Sequence, residues 1–62
     1  MRHPEEQQEN LERLRAIIEQ VIKDNLPFKD SVIGISLTMI RRNHGSRAEE
    51  ETRQIFRLDT LQ

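Results

Sequence analysis

The sequence predicts a small all-α protein of three helices that assembles as a homodimer. Three observations carry this prediction: an apolar seam in the first third, an uncharged central stretch followed by glycine, and a helix-capping pattern beyond it. At 62 residues the chain forms one domain at most, and it has no cysteine whose disulfide could reinforce so small a core. We therefore expect residues 1–62 to form a single small helical domain, with residues 1–4 as a frayed end.

The first helix is predicted over residues 5–24. Its apolar residues recur at intervals of 3, 4 and 3, which keeps them on one face, and two further isoleucines widen that face. The predicted protein interface consists of six residues: Leu11, Leu14, Ile17, Ile18, Val21 and Ile22. Asn25 is expected to end the helix. Leu26 and Phe28, on either side of Pro27, are expected to close the end of the core.

The uncharged central stretch, Ser31–Ile40, allows two interpretations. Its large apolar residues alternate with small ones over 33–39, which is the period of a half-buried strand. Such a strand would have to pair with a second copy, giving an α-β-α dimer. The flanks favour a helix instead, because Asp30 or Ser31 can cap its start and a glycine follows its basic last turn. We predict a helix over residues 31–43, apolar nearly all round and therefore central, with Val32, Ile35 and Met39 on one of its two apolar stripes.

A third helix is predicted over residues 47–60. Ser46 and Glu49 form an S-x-x-E capping box, in which the serine side chain caps the helix start. The apolar stripe of this helix is weak and strengthens toward the C-terminus.

Part of the central stretch resembles the turn and recognition helix of helix-turn-helix DNA-binding domains. In Gly34–Arg42 the glycine and the next apolar residue would form the turn, Ser36 would cap the second helix, and Ile40 would pack back on the first. Lys29 and Asp30 depart from the pattern, which places an apolar residue and then a small one upstream of the turn. The resemblance implies contacts to duplex DNA, and the basic cluster extends them, through five residues: Thr38, Arg41, Arg42, His44 and Arg47.

Charge is distributed unevenly along the chain. The formal net charge is −1, but residues 26–48 carry four basic groups against one acidic group, and both flanking segments are acidic. This is not the balance of a general nucleic-acid-binding protein, although it leaves one local basic patch.

Composition also disfavours several classes of function. No apolar run approaches the roughly 20 residues that span a membrane. A polar N-terminus and the absent cysteines favour a cytoplasmic protein. The two histidines, His3 and His44, lie far apart and lack neighbouring ligands at metal-binding spacing, so we expect no metal and no cofactor. The carboxylates fall at helix starts and on solvent faces, and no nucleophile signature is present, so we expect no catalytic residues and no small-molecule substrate.

The sequence therefore predicts a small non-enzymatic protein-interaction module, a self-associating adaptor or regulator whose partner is another protein. The alternative is a small dimeric DNA-binding regulator, similar to helix-turn-helix proteins, that uses residues 34–44.

Overall fold

A computed structural model describes residues 4–58, which form three helices and no strand. The helices are α1 (Pro4–Asp24), α2 (Lys29–His44) and α3 (Ser46–Ile55). The all-α prediction is confirmed, and the segment 33–39, considered as a strand, lies inside α2. Residues 1–3 of the predicted frayed end and the last residues of the predicted third helix lie outside the described part of the chain.

The helices α1 and α2 form an antiparallel hairpin. Asn25 ends α1 as predicted, with a positive φ of 51°. The amides of Asn25 and Leu26 donate hydrogen bonds to the carbonyls of Ile22 and Val21, at 3.1 and 3.3 Å. This pair of bonds is the Schellman motif, in which a left-handed residue satisfies the last carbonyls of a helix. The reversed chain then returns along α1.

The helix α2 begins two residues earlier than predicted, and the predicted caps Asp30 and Ser31 are wrong. Phe28 occupies the N-cap position, where its carbonyl accepts the Val32 amide at 3.2 Å, and no side chain caps the helix. The turn around Pro27 leads straight into the helix, because proline has a fixed φ and no N–H to satisfy. Asp30 therefore lies in the first turn, where its charge favours the helix dipole.

Gly45 alone joins α2 to α3. Its amide donates to the Arg41 carbonyl at 2.9 Å, and its own carbonyl accepts the Glu49 amide at 3.3 Å. Gly45 is thus both the end of α2 and the N-cap of α3, with φ 94° and ψ 166°. Such angles are open almost only to glycine. The prediction of Ser46 as the cap is wrong, because Ser46 is the first helical residue and makes no capping hydrogen bond.

The helix α3 is shorter than predicted. It ends at Ile55, and Phe56 follows as its C-cap. Arg57 has a positive φ of 55°, which turns the chain away from the helix axis. Leu58, beyond that turn, is buried in the core with residues of α1 and α2.

The core of the described residues is small and lies between all three helices. Its buried apolar members are Leu14, Ile18 and Val21 of α1, Ile33, Leu37 and Ile40 of α2, and Leu58. The molecule measures 38 × 19 × 16 Å. Only seven apolar side chains of the described residues are buried in the core, so most of the surface of each helix lies outside it. Each helix therefore keeps one broad face in solvent.

Candidate interaction surface

The most distinctive surface of the described chain is the solvent face of α2, which we call the outer face. It is a shallow depression along the helix, lined by Asp30, Ser31, Gly34, Ile35, Thr38, Met39 and Arg42. The other side of the same helix supplies three of the seven apolar core residues. The helix is thus apolar toward the core and partly apolar toward solvent, as the uncharged stretch predicted.

Large apolar side chains project from the outer face. Ile35 is 63% exposed and Met39 43% exposed, whereas Leu37 between them is 4% exposed and lies in the core. Phe28, at the start of the same helix, is also exposed. The positions 28, 35 and 39 are separated by seven and four residues, so they follow one stripe along α2. Of the exposed large apolar side chains among the described residues, these three form the largest group on any one helix.

The centre of the outer face is made of small residues. Ser31, Gly34 and Thr38 follow one another at intervals of three and four, and the Thr38 hydroxyl donates to the Gly34 carbonyl at 2.9 Å. A Cβ built on Gly34 would meet no atom within 4 Å. Glycine inside a helix costs about 0.8–1.0 kcal/mol relative to alanine. Nothing within residues 4–58 uses the missing side chain at this position.

Opposite charges stand at the two ends of the outer face. Asp30 lies in the first turn of α2 and Arg42 in the last, and both are exposed. Twelve residues of helix separate them, or roughly 18 Å at 1.5 Å per residue. Neither group has an ion-pair partner within residues 4–58. The face is therefore acidic at one end and basic at the other.

The predicted interface on α1 is divided by the fold. Leu14, Ile18 and Val21 are buried in the core of the single chain, and Leu11 packs against that core. Only Ile17 and Ile22 remain exposed, as single residues on different sides of the helix. Most of the seam is thus already covered by α2 and the rest of the core, because the short chain folds back on its own most apolar face.

The residues predicted to contact nucleic acid lie in the second half of α2 and, for Arg47, at the start of α3. Thr38 lies on the outer face, and the His44 ring Nε2 lies 2.9 Å from the Asn10 side-chain oxygen, which ties α2 to α1. Arg41, Arg42 and Arg47 are exposed near the Gly45 joint, and none has an ion-pair partner in the described range. These three exposed arginines remain as candidates for contact with nucleic acid.

The helix-turn-helix resemblance is wrong as a structural prediction. Gly34 to Arg42 lie inside the continuous helix α2, with no turn at Gly34. Gly34 has no positive φ, so it behaves as an ordinary helical residue. The flanking sequence favours the helix, since Asp30 at its start and the basic residues at its end both complement the dipole.

A buried polar contact between α1 and α3 was missed from the sequence. Thr52 is fully buried, its hydroxyl accepts a hydrogen bond from Arg15 Nε at 2.9 Å, and it donates to the Ala48 carbonyl at 2.8 Å. The Arg15 guanidinium also lies 3.9 Å from Glu51. The sequence does contain an indication of this contact. Ala48 and Thr52 are four residues apart, so these two small residues lie on one face of α3, a helix with few apolar residues. This contact positions α3; it offers no open site for a ligand.

The described residues contain no group of three histidine, aspartate or glutamate side chains placed to hold a metal ion. None of the three helices is long and apolar enough to cross a membrane. Comparison with protein-family models, with curated proteins and with solved structures finds no match to this chain.

Proposed function

We propose that this chain is a small non-enzymatic protein-interaction module that associates with itself through the outer face of α2. The observation that carries the proposal is the exposed apolar stripe on a helix whose opposite side already forms the core. A shallow depression along a helix is complementary in shape to a second helix that packs against it. The proposed role as an adaptor or regulator depends on the surfaces that the dimer offers to other proteins.

The apolar stripe supplies part of the free energy that a dimer needs. Fully burying an isoleucine or methionine contributes about 1.5–3 kcal/mol. Ile35 and Met39 are each about half exposed, so each gains part of that amount, and two-fold symmetry doubles the sum. Association costs an estimated 4–15 kcal/mol in lost freedom. The stripe therefore offsets only the lower end of this cost, and a dimer at high micromolar concentration needs about 4–5 kcal/mol more. We expect Phe28, the charged ends of the outer face and close helix packing to supply that difference.

Replacing Ile35 by glutamate should prevent this association, because it places an unpaired charge in the centre of the apolar stripe. The matched control is Ile55→Glu, since Ile55 of α3 is 58% exposed and Ile35 of α2 is 63% exposed. Sedimentation equilibrium should show a dimer for the unchanged chain and for the control, and a folded monomer for Ile35→Glu.

Two outcomes would count against the outer face. A folded monomer of the unchanged chain at high micromolar concentration would contradict self-association. A dimer that survives Ile35→Glu but is lost in Ile17→Glu would move the interface to the exposed side of α1, where the sequence placed it.

A second candidate function, binding to duplex DNA, is favoured by three exposed arginines on either side of Gly45: Arg41, Arg42 and Arg47. It requires binding whose affinity falls steeply with salt, with a log–log slope of about −0.9 for each phosphate contacted. A titration against random duplex DNA measures this slope. Replacing all three arginines by glutamine should reduce both affinity and slope, and binding unaffected by the triple change would exclude these arginines as the contact. The cytoplasmic location suggested by the sequence stays a prediction.

A further inference from the structure

We propose that the two copies pair along α2 in antiparallel orientation, with a two-fold axis close to Ile35. Each Asp30 end of the outer face then lies beside the Arg42 end of the other copy. This inference rests on the proposed self-association and specifies the partner of the outer face as a second copy in one orientation.

Charge decides between the two orientations of a helix pair. Asp30 and Arg42 are six residues to either side of position 36, so an antiparallel pair centred there brings opposite charges to the same level twice. A parallel pair would instead place Asp30 beside Asp30 and Arg42 beside Arg42. Arg41 increases this difference, because it adds a second positive charge to the last turn of α2. The antiparallel arrangement also opposes the two helix dipoles.

The shape of the outer face fits the same arrangement. Ile35 stands near the centre of the stripe, so its side chain would meet its own copy across the axis. Phe28 and Arg42 are each seven residues from Ile35, so a phenylalanine ring of one copy would lie at the level of a guanidinium of the other, a favourable cation–π pair. Gly34 and the small residues beside it allow the two backbones to approach closely. The outer face is therefore complementary to itself, as a two-fold contact requires.

Single cysteines can report the orientation, because the chain has no cysteine of its own. Three variants each place one cysteine on the outer face: Ser31→Cys, Ile35→Cys and Arg42→Cys. In the antiparallel pair only position 35 lies near its own copy. With the pair centred at position 36, positions 31 and 42 are roughly 15 and 18 Å from their copies along the axis, at 1.5 Å per residue. A disulfide needs Cα atoms about 4.4–6.8 Å apart.

Under mild oxidation at high micromolar concentration, Ile35→Cys should form covalent dimers at least tenfold faster than the other two variants. Ile55→Cys, with a similarly exposed position on α3, measures the rate of random collision. Comparable rapid crosslinking of all three outer-face cysteines would show a parallel pair and overturn this inference, while leaving self-association intact. If Ile35→Cys reacts no faster than Ile55→Cys and the unchanged chain is a monomer, the proposed function fails as well.

Reversal of charge supplies an independent measurement. Arg42→Glu should weaken the dimer several-fold at low salt, since it places two acidic pairs at the ends of the contact, and the effect should shrink as salt increases. The double variant Asp30→Lys/Arg42→Glu should regain most of the lost affinity. A single reversal without effect, or a double variant as weak as the single one, would contradict the antiparallel pairing.

Discussion

At the scale of single residues, Gly45 is the position at which the backbone conformation depends most directly on the type of residue. Its φ of 94° and ψ of 166° lie in a region that side chains exclude, and a Cβ there would meet no neighbouring side chain within 4 Å. The constraint is therefore one of backbone conformation and not of space. Ser46, one position later, is the first residue of α3 and makes no capping hydrogen bond.

Substitutions at Gly45 and at the adjacent Ser46 should therefore differ in their effect on the free energy of unfolding. Gly45→Ala should lower the free energy of unfolding by about 1–3 kcal/mol, because alanine is strained at these angles. Ser46→Ala should change it by less than about 0.5 kcal/mol, since no specific interaction is lost. Urea unfolding followed by circular dichroism, at equal protein concentrations, measures both. A larger loss for Ser46→Ala would mean that the serine caps α3 after all.

At the scale of the elements, the sequence predicted the three helices and their order, but it placed several ends incorrectly. The apolar residues of α1 were sufficient to predict that helix, because they recur with the period of a helix and not with that of a strand. The capping pattern at Ser46 and Glu49 misled because a preceding glycine can provide the N-cap with its backbone alone. The start of α2 was missed for a similar reason, since Phe28 has no side chain of a capping type.

The candidate surface could be predicted only in part. Two apolar stripes on α2 were visible in the sequence, but the periodicity does not say which stripe the core takes. That choice depends on how α1 and α3 pack against α2. The same packing buried Leu14, Ile18 and Val21, which sequence reasoning had assigned to an intermolecular interface.

At the scale of the whole molecule, folding and self-association should be linked. The core is thin, so covering the outer face adds stability that the single chain lacks. Binding that favours the folded state makes the unfolding temperature depend on concentration. We expect the midpoint of thermal unfolding to rise with protein concentration for the unchanged chain and to be constant for Ile35→Glu. A concentration-independent midpoint for both would mean that the monomer accounts for all the stability.

The brevity of α3 has a consequence for the order in which the molecule assembles. A helix of 10 residues is below the length of about 12–15 at which an isolated helix becomes even marginally stable in water. The hairpin of α1 and α2 can form from neighbouring segments, but α3 becomes helical only as it docks. Its anchor is Thr52, which reaches Arg15 across 37 residues of sequence. The helix α3 should therefore fold late and open first, and its amide hydrogens should exchange with solvent faster than those of α1 and α2.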